Sequence, residues 1–216
     1  LSKAMLLDTL LKFRQLQKTN KILVYAPSNS KPDLRKILAA DGVDSSWQLS
    51  PAIGSVSLGS SNLSLILGDA LERNRKAFGE GSCQTFIGMD CPHLKLSDVV
   101  SGFECAASGR AMILPANDGG YVMLSLPAET TAEAFDGIFW SSEKTCQMQI
   151  ERLKSLGIDT VVGDTYTDLD TPRDIESFYE NSKHFEEDCP LTFEVLRKCF
   201  EATEEADGEG MATENL

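Results

Sequence analysis

Asp90 occupies a position at which a carboxylate can take part in chemistry. It follows the apolar run Thr85-Phe86-Ile87, which Gly88 and Pro92 bring to an end. A short run that is apolar throughout is typical of a strand buried on both faces in a parallel sheet. We therefore expect Asp90 just beyond the carboxyl end of a central strand, where open α/β sheets bind their ligands.

A carboxylate at that position needs a partner, because a buried and unpaired charge is costly. The partner could be a cation, a set of hydrogen-bond donors or water. A divalent metal ion that also holds phosphates meets the requirement, since hard cations take oxygen ligands. The structural alternative is that Asp90 caps the helix that follows the strand.

A second polar segment is Asn117-Asp118-Gly119-Gly120-Tyr121. Asp-Gly and Gly-Gly pairs adopt positive φ at little cost, so the segment predicts a turn. Two consecutive glycines beside polar residues are also found where the backbone comes close to a ligand. An ordinary turn and a ligand-binding turn both remain open at this point.

The third acidic segment contains Asp168 and Asp170 and leads into Thr171-Pro172. Side chains two residues apart on a strand point to the same side, so the two carboxylates are expected to lie together. Thr171 and Pro172 are typical of the start of a helix. Asp170 could therefore bind a metal ion, or it could cap this helix and complement its dipole.

The elements that position these residues alternate between strand and helix. This alternation predicts an α/β protein, a three-layer αβα sandwich with a mostly parallel but mixed sheet. The tight turn after residue 115 predicts that the two strands it joins, 111–115 and 121–126, pair antiparallel within this sheet. We predict strands at residues 22–26, 47–49, 85–88, 111–115, 121–126, 160–162 and 166–169, and a Gly- and Ser-rich loop over 51–61.

Three stretches of chain are expected from the pattern. Residues 1–187 form the α/β domain, 188–203 a helical extension, and 204–216 an acidic disordered tail without a basic residue. The predicted last helix, 192–202, has apolar residues that must cover a surface, either the core or another subunit of a homo-oligomer. They are Phe193, Leu196 and Phe200.

Composition excludes several classes of function. The net charge is −13 over 216 residues, whereas binding to nucleic acids or to anionic membranes needs basic patches. No apolar run reaches the length of a membrane span. The six cysteines are scattered without metal-site spacing, which is typical of reduced thiols in a cytoplasmic protein. No signal peptide is visible, although the chain opens Leu-Ser-Lys without an initiator methionine.

Four segments together resemble the DUF2064 proteins, also described as selenodomain-associated transferase 1. Phe86–Leu94 is similar to their G-x-D-C-P-x-L segment, and Leu114–Tyr121 resembles G-P-A-x-D-G-G-Y. Phe139–Ser142 is similar to their Trp-Ser-Thr segment, and Asp168–Asp174 resembles D-I-D-T-P-E-D. The order and the spacing of the segments match as well.

The resemblance implies a nucleotide-diphospho-sugar transferase fold of the glycosyltransferase-A type. In that superfamily a strand-end aspartate and a later acidic residue hold Mg²⁺ or Mn²⁺, and these positions correspond here to Asp90 and Asp170, with Asp168 beside them. The metal bridges the phosphates of the donor and neutralises charge on the leaving group.

The resemblance also implies roles for other residues. Asp90 and Asp118 would be catalytic, and Trp140 would stack on a sugar or close the pocket, unless it is a core aromatic. The predicted substrate-binding residues are Pro92, His93, Asn117, Gly119, Gly120, Tyr121, Trp140 and Ser141.

Two departures from the family pattern bear on activity. Family members begin with a strand and a basic loop that cradles the nucleotide, whereas this chain begins at the helix that follows. Their D-L-G-x-R segment corresponds here to Asn62-Leu63-Ser64-Leu65-Ile66, without the acid, the glycine or the arginine. Loss of a basic residue removes charge that stabilises a phosphate-containing transition state.

Three functions are compatible with these observations. The first is a metal-dependent transferase that uses a nucleotide-sugar donor and an unknown acceptor. The second is a nucleotidyltransferase that releases pyrophosphate, since the same aspartates would serve it. The third is a non-catalytic binding protein of the same fold, which the departures favour and the retained Asp90, Asp118 and Asp170 oppose.

Overall fold

The computed structural model describes residues 1–43, 47–52 and 63–211, and over 202–211 it describes the helical backbone alone. Most of the loop predicted over residues 51–61 therefore lies outside the described residues, as does Asn62. Its first residue, Pro51, belongs to a strand.

Helices and strands alternate along the chain as the pattern predicted. The helices are α1 Ser2–Phe13, α2 Lys31–Ala40, α3 Leu63–Phe78, α4 Leu96–Ala107, α5 Thr145–Ser155, α6 Pro172–Asn181 and α7 Pro190–Met211. The strands are β1 Lys21–Tyr25, β2 Trp47–Pro51, β3 Gln84–Ile87, β4 Ala111–Pro115, β5 Tyr121–Leu126 and β6 Thr160–Val162. Short 3-10 turns cover Ser28–Ser30, Ala132–Phe135 and Lys183–Phe185.

The strands form two hydrogen-bonded sheets. β1 and β2 pair in parallel, and the larger sheet has the order β3-β5-β4-β6. β5 runs antiparallel to both of its neighbours because the tight turn after β4 reverses the chain, whereas β6 is parallel to β4. β3, β4 and β6 therefore all point the same way. Their carboxyl ends meet at one edge of the sheet, which is where the acidic segments begin. The strand before Asp90 was predicted to be a central strand of a parallel sheet, whereas β3 is the outermost strand of the described sheet and is antiparallel to its neighbour β5.

Both faces of the larger sheet are covered. In β4, Met112 and Leu114 face the cluster that contains Val99 of α4, while Ala111 and Ile113 face the cluster that contains Leu71 of α3 and Leu153 of α5. Alternate residues of a strand point to opposite faces, so a strand with two buried faces must be apolar throughout. This arrangement confirms the predicted three-layer sandwich with a mixed sheet.

The C-terminal helix α7 packs onto its own chain. Phe193 and Leu196 are buried together with Met5 of α1 and Phe178 of α6. The apolar residues of this helix were expected to cover either the core or another subunit, and in the structure Phe193 and Leu196 pack on the core. In the described part of the chain, no helix is long and apolar enough to cross a membrane.

The end of α7 differs from the prediction. The helix continues to Met211, whereas it was predicted to end at residue 202 and to be followed by a disordered tail from residue 204. Residues 201–206 are mainly glutamate and alanine, which are strong helix formers, and a docked helix can propagate through them without a new nucleation step. Residues 212–216 lie outside the described range.

Asp8 of α1 holds the beginning of α7. Its buried carboxylate accepts hydrogen bonds from the backbone N–H groups of Leu191 and Thr192, at 3.1 and 2.7 Å, and from Thr192 Oγ1 at 2.7 Å. The first N–H groups of a helix have no partner within the helix, so Asp8 satisfies donors that would otherwise be buried without an acceptor.

We expect Asp8→Ala to lower the free energy of unfolding by about 3 kcal/mol, because it removes a charged acceptor and leaves buried donors unpaired. Urea denaturation measures the change. The control is Asp33→Ala in α2, whose exposed carboxylate lies 3.7 Å from Lys36 and should contribute no more than about 0.5 kcal/mol. Equal destabilisation by the two substitutions would contradict the assigned role of Asp8.

Candidate functional site

Three carboxylates meet at the carboxyl edge of the sheet. Asp118, Asp168 and Asp170 each place one oxygen so that the three oxygens lie within 4.8 Å of one another. Asp118 and Asp170 are exposed, and Asp168 is half-buried. We call these residues the acidic triplet. Aspartate oxygens that converge from separate segments are the kind of ligand set that Mg²⁺ and Mn²⁺ take.

The β4–β5 turn positions Asp118. The Asp118 Oδ1 atom accepts a hydrogen bond of 2.7 Å from the backbone N–H of Gly120. Gly119 has a φ of +92°, and a Cβ atom there would overlap the backbone of Glu143. The Gly119 carbonyl also accepts a hydrogen bond from the Cys146 N–H at 2.8 Å. The glycine pair left open an ordinary turn or a close approach to a ligand, and in the structure the close neighbour of Gly119 is the segment before α5.

The segment before α6 is held against the same turn. The Tyr166 N–H donates to the Pro115 carbonyl at 2.9 Å, and the Asn117 N–H donates to the Tyr166 carbonyl at 3.0 Å. The Asn117 side chain also donates to Thr167 Oγ1 at 2.6 Å. The strand predicted over residues 166–169 is therefore a single parallel bridge, Ala116 to Tyr166. This bridge is sufficient to bring Asp168 beside the turn.

Asp170 does not act as the helix cap. Thr171 is the N-cap of α6, and its side chain and the side chain of Asp174 exchange hydrogen bonds with each other's backbone N–H groups. This reciprocal capping box satisfies the donors at the start of the helix. Of the two roles considered for Asp170, capping is excluded, and its carboxylate is available to the acidic triplet.

Asp90 lies beside the acidic triplet. Its backbone carbonyl accepts a hydrogen bond of 2.9 Å from the N–H of Leu169, the residue between Asp168 and Asp170. Its carboxylate lies against Gly88, where a Cβ atom would be 2.5 Å from Oδ1. Asp90 was expected to be a principal metal ligand, whereas in the structure Asp118 belongs to the closest group of carboxylates and Asp90 adjoins it.

Burial and the neighbouring carboxylates raise the pKa values of Asp90 and Asp168. Burial raises the pKa of Asp90, and the negative charges of Asp170 and Asp118 raise it further. Burial raises the pKa of Asp168 to about 6, and again Asp118 and the neighbouring aspartates add to the effect. Both shifts have the sign expected for negative charges brought together in a partly desolvated place. A bound cation would relieve this repulsion.

His93 and Pro92 belong to the loop that follows β3, and both are buried. The His93 ring is buried, and its centroid is 4.8 Å from Phe178, 5.0 Å from Phe185 and 5.5 Å from Tyr166. Burial lowers the pKa of His93 to about 4, and the nearby cationic groups that add to the shift are Lys12, His184 and Lys95. The predicted substrate residue is thus a neutral ring in an aromatic cluster.

Trp140 and Tyr121 belong to the core on the other side of the sheet. Trp140 Nε1 donates to Ser64 Oγ at 2.8 Å, and its ring centroid is 6.1 Å from that of Tyr121. The Tyr121 hydroxyl donates to Gln149 Oε1 at 3.2 Å. Of the two roles considered for Trp140, the structure supports the core aromatic. Ser141 is exposed and has a φ of +55°, which turns the chain toward α5.

Lys12 is a supporting residue that sequence reasoning missed. Its Nζ atom donates to the backbone carbonyls of Pro92 and Leu94, at 2.6 and 3.0 Å, and so fixes the loop that follows Asp90. Burial lowers the pKa of Lys12. A lysine near the end of an amphipathic helix has no sequence feature that distinguishes it from a solvated one, so only the fold reveals this contact.

Comparison with solved structures gives the same architecture. A protein from Desulfovibrio desulfuricans G20, provisionally assigned as a nucleotide-diphospho-sugar transferase, matches 91% of this chain and 80% of its own, with 20% identity and a TM-score of 0.74. The 4-diphosphocytidyl-2C-methyl-D-erythritol synthase of Anaerococcus prevotii DSM 20548 matches 74% of this chain and 76% of its own, with 14% identity and a TM-score of 0.51. At these identities the likeness shows the fold.

Sequence comparison defines the family. No protein with a curated description matches the chain. The model of the DUF2064 family, described as an uncharacterized protein conserved in bacteria, matches residues 9–142. That range contains three of the four segments on which the resemblance was based, those around Asp90 and Asp118 and the segment Phe139–Ser142. The chain belongs to the DUF2064 family.

Proposed function

We propose that this protein is a metal-dependent transferase that acts on a nucleotide-sugar-type donor. The observation that carries the proposal is the acidic triplet, Asp118, Asp168 and Asp170, at the carboxyl edge of the sheet. Ligands of open α/β sheets bind at this edge. The fold is also that of the Desulfovibrio protein assigned as a nucleotide-diphospho-sugar transferase, which supports the choice of donor.

The ligand set fits Mg²⁺ or Mn²⁺. All three groups offer carboxylate oxygens, two of them are exposed, and the arrangement leaves room for water and phosphate as further ligands. When bound, such an ion neutralises negative charge on a diphosphate leaving group. The raised pKa of Asp168 indicates a site in which the carboxylates interact unfavourably until a cation is present.

Asp90 is suited to accept a proton. Its carboxylate adjoins the acidic triplet, and its pKa is raised by burial and by Asp170 and Asp118. A general base works best when its pKa approaches the operating pH, so the environment of Asp90 shifts the pKa of its carboxyl group in the required direction. In the proposed reaction Asp90 would take the proton of the acceptor hydroxyl, while the acidic triplet holds the donor through the ion.

Nucleotidyl transfer is the second candidate. The Anaerococcus protein of similar fold is a 4-diphosphocytidyl-2C-methyl-D-erythritol synthase, which favours this class as the alternative. The same acidic triplet would serve either reaction. The leaving group distinguishes them, since a sugar transferase releases a nucleotide and a nucleotidyltransferase releases pyrophosphate from a nucleoside triphosphate.

The defining experiment is a thermal-shift screen of the protein with nucleotide sugars, nucleoside diphosphates and nucleoside triphosphates, each with and without Mn²⁺. A ligand that binds the folded state raises the melting temperature by mass action. We expect stabilisation by nucleotide sugars only when Mn²⁺ is present. Metal-dependent stabilisation by a triphosphate with pyrophosphate release would support the alternative, and no stabilisation by any compound would favour a non-catalytic role.

We expect Asp170→Asn to weaken Mn²⁺ binding by about ten- to a hundredfold, because the number of charged ligands sets the affinity of an oxygen site over several decades. Isothermal titration calorimetry measures the dissociation constant. The matched control is Asp174→Asn, four residues away in the capping box, which should cost stability and leave Mn²⁺ affinity unchanged. Equal loss of affinity in both variants would contradict the proposed ligand set.

The raised pKa of Asp168 predicts a specific pH dependence. Between the unfolded pKa of about 3.9 and the folded value of about 6, the folded state binds more protons than the unfolded state. The metal-free protein should therefore lose stability as the pH rises through this window. Mn²⁺ should restore stability above pH 6 by binding the ionised form.

Asp168→Asn tests this assignment, because an amide does not titrate. The variant should flatten the pH dependence of stability between pH 4 and pH 6 and weaken the stabilisation by Mn²⁺. Thermal unfolding at a series of pH values measures both effects. An unchanged pH profile in the variant would mean that another group is responsible.

A further inference from the structure

A cavity of about 330 Å³ lies between the segment that precedes Asp168, helix α6 and the loop after β3. Thr167 lines this cavity and Asp168 belongs to the acidic triplet, so the two sites adjoin without sharing an acidic residue. The volume is at the lower end of the range for small-molecule sites.

The inner wall of the cavity is aromatic. His93, Tyr166 and Phe178 are buried residues that line it, and the partly buried Phe185 completes this wall. Tyr166 is already anchored, because its hydroxyl donates to Asp98. An aromatic wall provides a flat apolar surface against which the C–H groups of a small molecule can pack.

His93 is the polar group of this wall whose hydrogen bonding is incomplete. The ring is 4% exposed, and both Nδ1 and Nε2 lie 3.8 Å from the same atom, Cys91 Sγ. A neutral imidazole has one N–H donor and one acceptor, whereas a thiol is only a weak partner and can serve one of them at a time. The described residues offer the ring no other hydrogen bond. One ring nitrogen of His93, a residue that lines the cavity, is therefore left without a strong partner among the described residues.

The outer wall is polar and balanced in charge. Lys95 contributes one positive charge and Asp164 one negative charge, and neither has an ion-pair partner within 4.0 Å among the described residues. The hydroxyl groups of Thr165, Ser177 and Ser182 make no hydrogen bond with the described part of the chain. The wall thus presents free donors and free acceptors together. A strongly anionic ligand would meet Asp164, and a cationic one would meet Lys95.

We propose that this cavity binds a small, uncharged, polyhydroxylated molecule of the sugar or sugar-alcohol class. Hydroxyl groups are both donors and acceptors, so such a molecule can satisfy Lys95, Asp164 and the free hydroxyls at once. Its C–H faces can pack on Phe178 and Phe185, and one hydroxyl can complete the hydrogen bonding of His93. The proposal does not depend on the acidic triplet or on a metal ion.

The experiment uses the histidine rings as reporters. The chain has two histidines, His93 and His184, so a long-range ¹H–¹⁵N spectrum contains two rings, and the His184→Gln variant identifies the signals of His93. The metal-free protein is titrated with pentoses, hexoses and hexitols. We expect a saturable change in the His93 ring signals with at least one of them.

Two variants test whether the change arises in the cavity. Ser177→Trp fills the cavity from helix α6 and should abolish the change, whereas Glu176→Trp at the neighbouring exposed position, outside the cavity, should retain it. Lys95→Ala should weaken binding about tenfold, because one charged hydrogen bond is lost. Thermal unfolding by circular dichroism confirms that each variant is folded.

Three results would overturn the proposal. The first is that no polyhydroxylated compound changes the His93 ring signals. The second is that Ser177→Trp and Glu176→Trp respond alike, which would place the effect elsewhere. The third is that inorganic phosphate saturates the change while the sugars do not, which would make the cavity an anion site. Because the titration contains no metal ion, its outcome is separate from the fate of the proposed transferase activity.

Discussion

The central constraint in this structure is that backbone pairing forces negative charges together at one edge of the sheet. Two backbone hydrogen bonds join Tyr166 to Pro115 and Asn117, and a third joins Leu169 to Asp90. Because these bonds join backbone atoms, they fix the acidic segments relative to one another independently of the charges on the side chains. The result is a group of carboxylates in which burial first, and then mutual repulsion, raise the pKa values of Asp90 and Asp168. A cation at this position would relieve the repulsion between the carboxylates.

Helices distant in sequence from the acidic residues help to hold this edge of the sheet. Helix α1 holds the loop after Asp90 through Lys12, and α1 is itself held by α7, whose start is bound by Asp8. Helix α7 lies beyond residue 142, where the family match ends. The C-terminal helix is therefore connected to the candidate site by two packed steps, α7 on α1 and α1 on the loop. A second connection is direct, because Leu169, between Asp168 and Asp170, belongs to the same core cluster as Phe193 and Leu196 of α7.

The segment that carries Asp168 has two roles. Its carboxylates Asp168 and Asp170 face Asp118 in the acidic triplet, while Asp164, Thr165 and Thr167 line the neighbouring cavity. Between them, Tyr166 pairs with β4 through its backbone and with Asp98 through its hydroxyl. A single bridge residue, Tyr166, thus holds both the acidic triplet and the cavity to the sheet. Movement of this segment would alter the two sites together.

The sequence by itself determined the fold class and most of the acidic edge. Apolar periodicity is a local property, so the strands 111–115 and 121–126, the turn between them and the start of α6 at Thr171-Pro172 could all be predicted. The proximity of Asp168 and Asp170 was predicted from the period of a strand, and the acidic triplet confirms the proximity although the strand itself is reduced to a single bridge at Tyr166. The resemblance to DUF2064 rested on motifs that are contiguous in the chain.

The tertiary structure alone decided which residues meet. It grouped Asp118 with Asp168 and Asp170 and set Asp90 beside them, because the antiparallel β5 brings the β4–β5 turn to the edge. Trp140 lies in the core, where it donates a hydrogen bond to Ser64, and His93 lies among aromatic rings. Lys12 donates to a backbone carbonyl of the loop after β3. The tertiary structure also kept residues 204–211 helical, since docking of α7 supplies the nucleus that composition does not reveal. Contacts between residues far apart in the chain depend on packing, and packing cannot be read from local pattern.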